Sequence, residues 1–158
     1  MLEDYRNAQR AGLRACRASQ AKGQSPYLAV LDDLLADEKI AAQEPLGLVE
    51  IPAESIVGTK TAGRHTAFAP NFMPLLDEST EFARKWIHLC DAHLEEGIHD
   101  PILAYEYMNK FYVQEGNKRV HPSCRANAAA RAPHYSPFSF ACYSSPPLRL
   151  LSKDFVRV

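Results

Sequence analysis

The chain has 158 residues, enough for about one ordinary domain with a single core. Its 46% hydrophobic and 23% charged residues are typical of a soluble globular protein, and no apolar run approaches the roughly 18 residues that a membrane helix requires. The net charge of −1 hides an asymmetry: residues 1–120 hold 13 Lys/Arg against 18 Asp/Glu (−5), whereas residues 121–158 hold 5 against one (+4).

The N-terminal stretch MLEDYRNAQRAG has acids where a secretory signal has cations, and it lacks an apolar core, so a cytoplasmic location is expected. The four cysteines (Cys16, Cys90, Cys124, Cys142) make no CxxC pair and read as free thiols. Residues 1–45 read as an N-terminal helical segment. Leu2, Tyr5, Gln9, Leu13 and Cys16 fall at helical spacing, and Gly23 with Pro26 supplies a stop. A second helix is predicted over Tyr27–Ala36, with Leu28, Leu31, Leu34 and Leu35 as its apolar stripe. Arg6, Arg10, Arg14 and Arg17 share one face of the first helix. They form either a basic strip for an acidic partner or a solvated outer face.

Residues 46–120 are more regular. A strand is predicted at Leu48–Ile51, a turn at Pro52–Glu54 and a short apolar piece at Ile56–Val57. DESTEFARKWIHLCDAHLEEG is the clearest helix, capped by Asp77 and closed by Gly97. Its rows Phe82–Trp86–Leu89–His93 and Ala83–Ile87–Cys90–Leu94 mark the buried side. Two strands follow, Ile102–Tyr107 and Lys110–Glu115, around a turn at Met108–Asn109. The expected architecture is α+β: N-terminal helices, then a small mixed sheet with one packed helix, then an irregular tail.

Residues 121–158 contain 5 of the 11 prolines, which remove backbone donors and disfavour helix. The expectation is a poorly ordered tail, with a helical turn near Arg125–Arg131 and a strand at Leu148–Leu151. Periodicity stops abruptly after Val120. The tail therefore reads as a truncated or out-of-frame replacement for a helix that should begin there.

Chemistry concentrates in two loops. Gly116, Asn117, Lys118 and Arg119 stand where a strand would hand over to a helix, an arrangement that aims backbone N–H groups and two cations at one point. The segment VGTKTAGR packs Gly58, Thr59, Lys60, Thr61, Gly63 and Arg64 directly after a strand. No P-loop pattern is present, yet the loop is rich in small donors and carries two cations, as a polyphosphate requires. Each loop also has a plainer reading as solvated connection.

The segment from VEIPAESIVGTKTAGR to EEGIHDPILAYEYMNKFYVQEGNKRV resembles the ParB/sulfiredoxin-like superfamily, in its ParB N-terminal or ParB-like nuclease form. Val49, Ile51, Pro52 and Ile56 match its first strand, and Arg64 its loop arginine. Gly97, Pro101 and Ile102 match its helix exit, and Gly116, Asn117, Lys118 and Arg119 its G-E-R-R turn. The resemblance covers about residues 48–120. It implies a domain that binds a nucleotide or nucleic-acid phosphate, since ParB members bind CTP and DNA and sulfiredoxins use ATP. Asn117 replaces the catalytic cysteine of the sulfiredoxin turn and the glutamate of the ParB turn, so neither reductase chemistry nor CTP hydrolysis is implied. Residues 121–158 have neither the length nor the periodicity for a helix-turn-helix reader.

The expected function is thus non-catalytic binding of nucleotide or DNA phosphate by Lys60, Arg64, Gly116, Asn117, Lys118 and Arg119, with a nucleoside triphosphate and Mg2+ as the cofactor class. No membrane association is expected. A homodimer or a protein partner would engage the N-terminal helices. The first alternative is a metal-assisted nuclease or nucleotide hydrolase using Glu95, Glu96, Asp100 or Glu115. The second is an interaction module or a companion of an ABC-type transport system. Cys90 and His93, with His88, His99 and Asp100 nearby, have zinc-like spacing, but both lie on apolar rows and fit the core better. Tyr105, Tyr107 and Tyr112 could stack on bases or pair across strands.

Overall fold

The computed structural model describes residues 2–37, 40–45, 49–96, 101–120, 139–142 and 148–152. It is an α+β protein. Its helices are α1 (Leu2–Ala21), α2 (Leu31–Leu34) and α3 (Glu81–Glu96). Its strands are β1 (Ala29–Val30), β2 (Ile40–Pro45), β3 (Val49–Pro52), β4 (Ile56–Thr59), β5 (Leu103–Tyr107), β6 (Lys110–Glu115), β7 (Ser139–Cys142) and β8 (Leu148–Ser152). The chain forms two units, one comprising Met1–Leu28, Thr66–His99 and Lys118–Pro137, the other Ala29–His65, Asp100–Asn117 and Phe138–Val158.

The first unit is built on α1 and α3. Tyr5 and Ala8 face inward from α1, and Phe82, Ala83, Trp86 and Cys90 from α3, as the helical rows predict. Tyr5 meets Trp86 edge-on with ring centroids 5.3 Å apart, and Phe68 meets Phe82 in the same way at 5.2 Å. The cap of α3 lies one turn later than expected. Asp77 spends its carboxylate on the N–H and hydroxyl of Ser79, and the Thr80 hydroxyl accepts the N–H of Ala83 instead. Gly97 and the side chains of His93 and Leu94 lie outside the described residues.

Of the four arginines on α1, Arg6 is committed to a bidentate pair with Glu78, at 2.5 and 2.8 Å. That bond holds the Glu78 carboxyl below its usual range. Cys16 is a free thiol, whereas Cys90 is disulfide-bonded, which corrects the expectation of free thiols at that position. Cys124 and the side chain of Cys142 lie outside the described residues.

Burial, seconded by the charge of Asp77, pushes the Tyr5 phenol from 10.0 up to about 12, and its hydroxyl donates to the Leu76 carbonyl at 2.7 Å. A folded-state value above the unfolded one gives stability that is intact below pH 10.0 and lost as pH rises toward 12. Urea unfolding should therefore weaken across that window by at most about 1.4 kcal/mol per pH unit from this group. Tyr5→Phe should flatten the slope; an unchanged slope would contradict the assignment.

The second unit is a mixed sheet in the order β1-β4-β6-β5-β8-β2, with β3 and β7 paired separately. Strands β1 and β4 are parallel, as are β4 and β6, whereas β5 and β6 form the expected antiparallel hairpin. Its turn places Met108 and Asn109 at φ +52° and +61°, the left-handed pair that matches strand twist. Leu31, Tyr107 and Tyr112 form a core cluster, flanked by Leu35, Val57 and Tyr105.

Residues 27–36 differ from their prediction, because Ala29 and Val30 pair in parallel with Gly58 and Thr59 and leave only Leu31–Leu34 helical. Residues 40–45, included in the predicted helical segment, form β2, which pairs with β8. The tail strand expected at Leu148–Leu151 is present as β8, and β7 is an addition that periodicity did not signal. The turn expected near Arg125–Arg131, and the helix expected after Val120, fall outside the described residues.

Candidate functional site

Strands β1, β4 and β6 run in the same direction, so their carboxyl ends lie at one edge of the sheet. The segments leaving those ends carry Asp32, Lys60, and Gly116 with Asn117. In open sheets the carboxyl ends of adjacent parallel strands are the usual place for a ligand, because the departing loops diverge there.

Main-chain bonds lock the three ends together. Lys60 N–H donates to Val113 O at 2.8 Å, and Asp32 N–H donates to Lys60 O at 3.1 Å. Thr59, 3% exposed, turns its hydroxyl onto Val113 O at 3.0 Å. Gly58 makes the parallel pairing possible. A Cβ there would fall on the Ala29 carbonyl oxygen and lie 3.0 Å from Tyr112 Cδ1. Gly58 and Thr59 thus belong to β4 and serve its packing, whereas the sequence placed them in a polyphosphate loop.

Lys60 is held from two sides. Its ammonium pairs with the Asp32 carboxylate and stands 5.2 Å from the centroid of the Tyr105 ring. Arg64, by contrast, is exposed, in a kinked 3-10 segment spanning Ala62–Ala67, and makes no hydrogen bond or ion pair among the described residues. Gly116 has φ +96°, a conformation that favours glycine, and it turns the chain out of β6 into the 3-10 turn Asn117–Arg119. Asn117 reaches back to β4, its amide nitrogen donating to Thr59 Oγ1 at 3.4 Å.

The six residues predicted to bind phosphate therefore divide. Lys60, Arg64, Gly116 and Asn117 belong to the sheet unit, and Lys60 and Asn117 are joined through Thr59 and Val113. Lys118 and Arg119 belong to the helical unit, where the Lys118 ammonium lies 4.5 Å from the Phe82 ring centroid. Asp32, a partner of Lys60, was missed. It is 28 residues away in sequence, and no local pattern links the two.

Other candidates settle more simply. Tyr105 and Tyr112 are cross-strand partners, and Tyr107 and Tyr112 are core residues. Among the described residues no group of three His, Cys, Asp or Glu converges on a metal site. Glu95 and Glu115 are exposed, and the side chains of Glu96 and Asp100 lie outside the described residues. No described helix is long and apolar enough to cross a membrane. Compared with protein-family models, curated proteins and solved structures, the chain matches none.

Proposed function

We propose that this protein binds the phosphate of a nucleotide or of DNA at the carboxyl edge of β1, β4 and β6, without turning it over. This is the activity implied by its likeness to the ParB/sulfiredoxin-like superfamily. The supporting observation is topological: the segments after β4 and β6, each singled out by its small residues and cations, leave neighbouring parallel strands at the same edge. Arg64 is the cation best placed to serve, being exposed and uncommitted among the described residues, and Gly116 lets the backbone turn close to an anion. A cytoplasmic location goes with such a ligand.

Thermal unfolding with a panel of nucleoside triphosphates and short DNA, with and without magnesium, tests the reading. A ligand at about 100 times its Kd adds roughly 2.7 kcal/mol, or about 5–10 °C for a chain of this size. Arg64→Ala should leave the unliganded midpoint within about 2 °C and weaken binding about tenfold or more. If no nucleotide or DNA shifts the midpoint, the proposal fails. Magnesium-dependent turnover would instead favour the hydrolase.

A further inference from the structure

The Thr59 hydroxyl has one proton, and Val113 O receives it. Towards Asn117 that oxygen can only accept, so Asn117 must present its NH2 to Thr59. The amide oxygen then faces away, and Oδ1 is buried with no hydrogen-bond partner among the described residues. The reverse orientation would sacrifice the Thr59–Val113 bond and strand two N–H groups in place of one oxygen. A buried acceptor left unmet costs about 1–3 kcal/mol, so its persistence beside the ends of two parallel strands calls for an explanation. The side chain of Asn117 thus offers a ligand an acceptor, which repels phosphate oxygen and attracts O–H or N–H. An ammonium would lose its hydration at a buried oxygen, whereas a neutral hydroxyl loses little. Asn117 as a residue is only partly buried, so a modest shift of its side chain would bring Oδ1 within reach of a small group.

Resting on the phosphate reading, we propose that Asn117 Oδ1 is a subsite for a neutral hydrogen-bond donor, a sugar hydroxyl of the phosphorylated ligand, so that the edge selects phosphate esters of polyols over inorganic phosphate. The phosphate falls to Arg64 and the backbone near Gly116, and the hydroxyl falls to Asn117.

The full chain is titrated calorimetrically with inorganic phosphate, ribose and ribose 5-phosphate, alongside Asn117→Leu, which is close in shape and lacks both amide groups. The Asn117 side-chain amide resonances of the unaltered protein are followed in parallel. Ribose 5-phosphate should bind about tenfold more tightly than inorganic phosphate, a difference of about 1.4 kcal/mol. Asn117→Leu should bring the two within about twofold, by weakening ribose 5-phosphate more than inorganic phosphate. Equal affinities in the unaltered protein, or a preference that survives Asn117→Leu, would overturn the subsite and leave the phosphate reading standing. Conversely, if ribose alone moves the Asn117 resonances while neither phosphate compound binds more tightly than ribose, the subsite holds and the phosphate reading falls. If no probe moves those resonances, an internal water satisfies Oδ1 and the subsite is refuted.

Discussion

Gly58→Ala should lower the unfolding midpoint by roughly 5–12 °C, corresponding to about 2–4 kcal/mol, before any ligand is added. The added methyl has nowhere to go. One obstacle is the Ala29 carbonyl oxygen, which is main chain and cannot swing aside, and the other is the Tyr112 ring, itself buried in the sheet's core. Relief requires β1 and β4 to separate, which would also break the bond from Asp32 N–H to Lys60 O. A purely ligand-facing glycine predicts the opposite pattern, in which alanine weakens binding and spares stability. Unfolding by circular dichroism without ligand separates the two; a midpoint unchanged within about 2 °C would refute the packing role.

Trp86→Ala should have the larger effect, about 3–5 kcal/mol and 10 °C or more in midpoint. Trp86 is 1% exposed and packs against Tyr5, so truncation removes the central contact between α1 and α3 and leaves a cavity. It is the only tryptophan in the chain, so fluorescence is lost with the substitution and far-ultraviolet dichroism must report the transition. Trp86→Phe, which refills most of that volume, should recover more than half of the loss. A loss below about 1 kcal/mol for the alanine variant would show that the two helices do not depend on this contact.

Where structure follows local periodicity, the sequence was readable. The rows of α1 and α3 and the hairpin around Met108–Asn109 each declare themselves within one continuous stretch. Residues 27–36 depart from the helical pattern that Leu28, Leu31, Leu34 and Leu35 set. The strand state of Ala29 and Val30 is imposed by Gly58, remote in sequence and missing a side chain. Asp77 can cap a helix by its residue type, but here it closes a local turn, and Thr80 takes the role. At the site, Gly116 and the cations around it were legible from composition. The bonds of Lys60 to Asp32 and of Asn117 to Thr59 were not, since both are tertiary and join residues 28 and 58 positions apart.

The pairing of Lys60 with Asp32 has a consequence for any anion that comes to this edge. The Asp32 carboxylate already sits against the Lys60 ammonium, so capture of an anion there is a swap of one anion for another. The gain is only the difference between two similar attractions, less whatever it costs to leave Asp32 solvated alone. Selectivity would then come from what the incoming molecule offers beyond its charge.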